Sequence, residues 1–215
     1  MLIDIFHDPV CPWCRIGIKN LFDALAQWQE KEVDIRWHPF ILDNAVPADG
    51  YEFYSFMRNR KGIKAEELQH LFDSTRRAGE AAGVKLYFDK IRLAVNTKLS
   101  HRLITLAPAN VKNDVVEAIY KAYFENGLNI GDIDVLITIG TAYKMDYREL
   151  WLQLNDDAAV KAFVAESTFA RPNGINSVPF FIINNKVKIN GSHSVEMFLQ
   201  ALNRAALIDR SAKIW

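Results

Sequence analysis

The chain has 215 residues, half of them hydrophobic and 24% charged, with Lys+Arg and Asp+Glu at 26 each and a formal net charge of zero. That balance argues against nucleic acid or an acidic membrane surface as the main partner, because both demand a basic excess. No run of about 18 apolar residues occurs, so no membrane span is expected, and 12% aromatic residues supply bulk for a core without metal or disulfide support.

Met1-Leu2-Ile3-Asp4-Ile5-Phe6 opens the sequence with no basic segment, long apolar stretch or small-residue cleavage site. It reads as a buried strand with no secretory signal, which implies a reducing, cytoplasmic setting. Pro12 suits the first turn of a helix, where its missing N–H costs nothing. Ile18, Leu21, Phe22 and Leu25 then mark one helical face. Val33, Ile35 and Trp37 alternate with Asp34, Arg36 and His38, the period of a strand. Strand, helix and strand in so short a span predict a parallel βαβ unit over residues 1–43.

From about residue 44 to 170 the pattern is helical. Leu68, Leu71, Phe72 and Thr75 mark one face, and Val115, Val116, Ile119, Tyr120, Tyr123 and Phe124 another, closed by Gly127 as a C-terminal cap. Asp132 and Asp146 are expected N-caps. Asp156 or Asp157 opens a last helix through Val160, Phe163 and Val164. The charged stretch from Arg58 to Lys64 reads as a solvated face.

Residues 171–215 return to strands. Phe180 to Ile183 and Val187 to Ile189 flank Asn184-Asn185, which tolerates the positive φ of a tight hairpin turn. Ser194 caps a final helix with Val195, Phe198, Leu199 and Leu202 facing inward. No internal repeat or linker is visible.

Chemistry concentrates at Asp8-Pro9-Val10-Cys11-Pro12-Trp13-Cys14, at the junction of the first strand and helix. A thiol there meets unpaired backbone N–H groups and the positive end of the helix dipole, which favour thiolate over thiol. Cys11 is therefore the expected nucleophile, and Cys14, one turn in, the resolving thiol. Arg15 either assists electrostatically or points into solvent. A zinc site needs about four ligands; there are two cysteines, and His7, His38 and His101 have no ligand-like spacing, so no metal is expected. Two ordinary core cysteines are the remaining bland reading. His7 and Asp8 stand close enough to influence the dithiol, or simply cap and pack the turn. Pro179, before an apolar strand, on its residues alone need do no more than begin that strand.

Taken together, Cys11-Pro12-Trp13-Cys14 with Ile16-Gly17, Asn96-Thr97 with Ser100-His101-Arg102-Leu103, Tyr123-Phe124 with Asn129-Ile130-Gly131-Asp132, and Gly174-Ile175-Asn176-Ser177-Val178-Pro179-Phe180-Phe181 with Asn190-Gly191 resemble the DsbA-like branch of the thioredoxin superfamily. The match is nearest to its FrnE-like group. The resemblance implies an α/β thioredoxin-like fold with a large inserted all-helical domain. The fold's halves would be residues 1–43 and 171–215, and the insert residues 44–170. It makes Cys11 the nucleophile, Cys14 its resolving partner and Pro179 a cis proline facing the nucleophile. Val178 would offer its backbone to an extended substrate. Pro12, Trp13, Asn96 and His101 are then expected to contact substrate, the last two on a groove wall supplied by the insert, although a helix histidine more often serves structure.

Trp13 stands where DsbA itself has a histidine, so a strongly oxidising potential is not carried over. The implied function is a thiol–disulfide oxidoreductase of reductase or isomerase type, acting on protein or small-molecule thiols and disulfides. No cofactor beyond the redox-active pair is implied, with glutathione open as a co-substrate. Two alternatives stand beside it: a glutathione-dependent isomerase or transferase of the kappa-like group, which typically has serine at the nucleophile position, and a non-catalytic redox-sensing peptide-binding module.

Overall fold

A computed structural model describes residues 1–28, 32–156, 158, 170 and 174–212. Strand β1 (Leu2–His7) leads through a tight turn into helix α1 (Pro12–Gln27), and β2 (Asp34–Pro39) returns parallel to β1. After the insert, β5 (Phe180–Ile183) runs antiparallel to β1 and pairs with β6 (Val187–Asn190). The sheet order is β2-β1-β5-β6. The chain closes with α8 (Val195–Ala212), whose first turn is capped by Ser194 Oγ accepting from the Met197 N–H. The hairpin between β5 and β6 turns through Asn184 and Asn185 at φ 49° and 56°, as the asparagine pair leads one to expect.

Alternation along β1 and β5 divides the core. Ile3, Ile5, Phe181 and Ile183 share one face with Leu21 and Ala24 of α1 and Phe198 and Leu202 of α8, all at 0% exposure. Burying each large side chain there contributes about 1.5–3 kcal/mol. The opposite face carries Phe6, Phe40, Ala170 and Ile175 against Phe180 and Ile182.

The insert holds β3 (Tyr51–Glu52), α2 (Phe53–Ser55) running into a π-helical turn (Phe56–Arg60), α3 (Ala65–Ala81), β4 (Leu93–Ala94), α4 (Lys98–Leu106), α5 (Lys112–Phe124), α6 (Ile133–Ala142) and α7 (Tyr147–Leu154). Besides helices it thus contains an antiparallel β3–β4 ribbon, whose two-residue strands are too short to show a period. Asp132 and Asp146 cap α6 and α7 through their carboxylates. Gly127 closes α5 at φ 68°, its N–H bonded to the Tyr123 carbonyl. On α3, Leu68, Phe72 and Thr75 are buried but Leu71 is turned outward. The helix expected through Val160, Phe163 and Val164 lies outside the described residues. Helix α1 packs against α8 on one side and against α3 and α5 of the insert on the other, which sets its N-terminus at the seam between the two parts.

Candidate active site

The turn from β1 to α1 is tied down by Asp8. Its carbonyl accepts from the Cys11 N–H at 2.9 Å. Its carboxylate accepts from the Leu42 N–H at 2.8 Å and the Val10 N–H at 3.4 Å, joining the turn to the loop after β2. Cys11 is the N-cap of α1, in extended conformation, and Pro12 occupies the first helical turn. The Cys11 carbonyl accepts from the Cys14 and Arg15 N–H groups.

This geometry separates the two thiols. Cys11 retains 7% exposure while Cys14 has none. Burial first, then the hydrogen bond and charge of Cys11, push the Cys14 thiol well above the ordinary range. Cys14 is therefore a sealed thiol one turn along α1 from Cys11.

Cys11 Sγ lies 3.8 Å from the Val178 carbonyl oxygen, and the Val178–Pro179 bond is cis. The approach of this loop to the helix depends on Gly17. A Cβ there would stand 3.1 Å from Pro179 Cγ and 3.3 Å from the Ser192 Cα, so close that the loop would have to give by a few tenths of an ångström. Trp13 is 40% exposed beside the dithiol.

Beside the dithiol lies a packed cluster of buried polar side chains, His7, Asp8, His101 and Tyr120. The Tyr120 hydroxyl lies 2.8 Å from His7 Nδ1 and 3.3 Å from the Asp8 carbonyl. The His7 and His101 rings meet edge to face at 5.3 Å. His101 Nε2 comes within 4.0 Å of Asp8 Oδ1, beyond hydrogen-bond reach. Among the described residues neither His7 Nε2 nor His101 Nε2 has a hydrogen-bond partner. Burial holds the His101 imidazolium down to about 3. Burial, then the charges of His101 and His38, hold that of His7 well below the usual range. Burial also raises the Asp8 carboxyl to about 6, against the pull of the Leu42 and Val10 amides. At neutral pH both imidazoles are therefore neutral.

A cavity of about 240 Å³ opens beside Cys11 and Pro12, with Asp8 on its lining and the loop after β2 and the insert for walls. The structure thus brings together Cys11, Cys14, Pro12, Trp13, Val178 and Pro179. The two residues expected on a groove wall are placed elsewhere. Asn96 bridges loops, donating to the Val46 carbonyl at 2.6 Å and accepting from the Lys98 N–H, and lines a separate hollow. His101 is turned inward on the buried face of α4 at 2% exposure, too deep to touch a docked substrate.

Arg15 neither points to solvent nor faces the thiols. It is 2% exposed and donates to the Lys85 carbonyl, Glu117 and Glu125, clamping α1 to the insert. Tyr120, on the helical face of α5, is buried in the core and also reaches His7 and the Asp8 carbonyl. Among the described residues no group of three or more His, Cys, Asp or Glu could hold a metal ion, and no helix is long and apolar enough to cross a membrane.

A dithiol at a helix cap, faced by a cis-proline loop on a four-stranded β-α-β/β-β-α frame, defines the class of thioredoxin-fold thiol proteins. The chain belongs to the DSBA-like thioredoxin domain family, whose model matches residues 2–203. It is similar to an uncharacterized protein, YwbO, of Bacillus subtilis (strain 168), at 24% identity over 210 residues, covering 94% of this chain and 95% of that protein. The crystal structure of a probable DsbA oxidoreductase, SCO1869 from Streptomyces coelicolor, superposes with a TM-score of 0.86 at 25% identity, covering 95% of this chain and 89% of that one. The cytosolic disulfide reductase DsbM from Pseudomonas aeruginosa, solved with GSH, shares the fold over both full chains with a TM-score of 0.63 at 17% identity.

Proposed function

We propose that this protein is a thiol–disulfide reductase in which Cys11 attacks and Cys14 resolves. The observation that carries the reading is the division of the pair: Cys11 caps α1 at the mouth of a cavity and opposite the Val178 carbonyl, whereas Cys14 is sealed beneath it. Cys11 thiolate attacks one sulfur of a substrate disulfide. The substrate S–S bond breaks, its other half leaves as thiolate, and a mixed disulfide forms on Cys11. Cys14 then attacks Cys11 Sγ, its proton going to the departing thiolate. The products are a Cys11–Cys14 disulfide and a fully reduced substrate; two external thiol groups, which leave joined as a disulfide, return the pair to its dithiol form. The Val178 backbone gives an extended substrate an edge to pair with. Within the family, the motif set favours the FrnE-like group.

The test is turnover of insulin with a dithiol reductant, alongside single-cysteine variants. Cys11→Ser is expected to abolish reduction, and Cys14→Ser to accumulate a mixed disulfide on Cys11 that mass spectrometry detects. Preferential trapping on Cys14 in the Cys11→Ser protein would reverse the roles. Glutathione-dependent turnover that survives undiminished in Cys14→Ser would instead move the protein to the glutathione-dependent isomerase class.

A further inference from the structure

The cavity beside Cys11 is walled by Ile41 and Leu42 of the loop after β2 and by Phe53, Met57, Ala94 and Val95 of the insert. Sites that bury a drug-sized molecule run to roughly 300–1,000 Å³, and this one, at about 240 Å³, is smaller. It has room for one large side chain but not for a tripeptide.

Its charges restrict the occupant further. Asp8 and Asp43 both lie on the lining. Lys61, the sole cation among the described residues that line it, is held by Asp43 Oδ2 at 3.1 Å, and Arg60 is held by the same carboxylate. An entering carboxylate would shed its water and meet two acids, with the nearby cations already engaged. Glutathione carries carboxylates at both ends, so it fits poorly. An uncharged aliphatic or aromatic group gains the burial and leaves no charge unpaired.

We infer that this cavity is a specificity site for a single apolar side chain adjacent to the reacting cysteine of a protein or peptide disulfide. The preferred substrate is one whose cysteine is flanked by a leucine- or phenylalanine-sized residue, ahead of glutathione disulfide. The inference rests on the dithiol reading above. Cys11 attacks the cysteine sulfur next to the apolar residue, that half becomes bonded to Cys11 with its side chain in the cavity, and the other half leaves as thiolate. Cys14 then releases the bound half, so the protein dithiol supplies both electrons and the substrate disulfide accepts them.

The test is single-turnover reduction by the fully reduced protein, followed by released thiol. Four disulfides serve: a short peptide disulfide with Leu beside each cysteine, the same peptide with Asp there, glutathione disulfide, and hydroxyethyl disulfide as a small neutral reference. The Leu peptide is expected to react about tenfold faster or more than the Asp peptide, a difference equivalent to about 1.4 kcal/mol, and glutathione disulfide no faster than the Asp peptide. Ala94→Leu places a side chain in the void and is expected to bring the Leu-to-Asp ratio below about threefold, its fold being checked by circular dichroism. Should that variant fail to fold, the wild-type ratio decides alone. Reduction of hydroxyethyl disulfide with a ratio near one, or with glutathione disulfide the fastest, would overturn the specificity site and leave the dithiol reading standing. No reduction of hydroxyethyl disulfide would remove the dithiol reading, and the specificity site with it.

Discussion

On one face of β1 the buried Asp4 carboxylate is met by Arg36 through hydrogen bonds of 2.7 and 2.9 Å and by His38 Nε2 at 2.6 Å. At the end of the same strand His7 and Asp8, with His101 of α4 against them, are buried just as deeply, and His7 Nε2 and His101 Nε2 lack partners among the described residues. Burial alone would raise the Asp4 carboxyl, but the hydrogen bonds from Arg36 and His38 outweigh it and hold the group below its ordinary value. Nothing comparable rescues Asp8, which stays near 6. Arg15 belongs with Asp4, since each buried charge is answered by opposite charge. Matched charges occur where the molecule must hold together, and poorly matched ones directly beneath the dithiol. Locally unfavourable groups that persist in a folded protein tend to sit where chemistry is done.

Breaking the matched set is expected to cost most. Arg15→Met removes the clamp between α1 and the insert. Losing one partner of a buried pair costs about 3–5 kcal/mol, and because the Glu117 and Glu125 side chains remain 43% and 22% exposed, the expected loss is about 2–3 kcal/mol. A lowered urea midpoint at unchanged slope would show it; a shift worth under about 0.5 kcal/mol would mean that the clamp is ornamental.

Neutralising the mismatched set runs the other way. Because the folded Asp8 holds its proton up to about 6, against an ordinary 3.8, the native state binds more protons than the unfolded chain between those values. Stability therefore falls as pH rises from about 4 to about 6, then levels, at a cost of about 3 kcal/mol. Asp8→Asn is expected to recover about 2 kcal/mol of it at pH 7, since the amide keeps an acceptor for Leu42 but offers none to Val10. Urea titrations at pH 4 and pH 7 would read both effects; a variant less stable than wild type at pH 7 would show that the carboxylate is better solvated than its burial implies.

The smallest expected effect is at His101. Its folded value of about 3 lies below the ordinary 6.5, so its contribution is fully present above about 6.5 and is lost as pH falls towards 3. His101→Leu removes an imidazole whose Nε2 has no partner among the described residues. It should change stability at pH 7 by less than about 1 kcal/mol while making the protein less sensitive to acid between pH 6.5 and 4. Melting curves across that range test it, and unaltered acid sensitivity would exclude His101 as a contributor.

What the sequence discloses here is local. The first βαβ unit, the Asn184-Asn185 hairpin and the Asp132, Asp146 and Ser194 caps all follow from residues within a few positions of each other. Cys11 and Cys14 are likewise legible, because helix position alone distinguishes them. The fate of Arg15 is not, since Glu117 and Glu125 lie 102 and 110 residues away and no spacing rule reaches that far. The inward turn of His101 and the loop-bridging role of Asn96 are hidden for a related reason. Their helix and loop could be read, but which side of α4 meets β1 depends on how the insert closes over the sheet. The cavity is assembled from Asp8 through Tyr123 and has no linear signature at all.

Gly17 bears on how the two halves of the frame stay aligned. The Cys11 sulfur and the Val178 carbonyl opposite it are 167 residues apart in the chain. No covalent link spans that interval except the backbone itself, and the whole insert intervenes. Their separation is gauged instead by a place where a side chain is missing, one turn and a half along α1, where helix and proline loop touch directly. A surface with nothing on it cannot change rotamer or wear to a different length. The spacing of helix and loop is thus set where the bare Gly17 backbone meets the Pro179 ring, and none of the three nearest atoms there belongs to the insert.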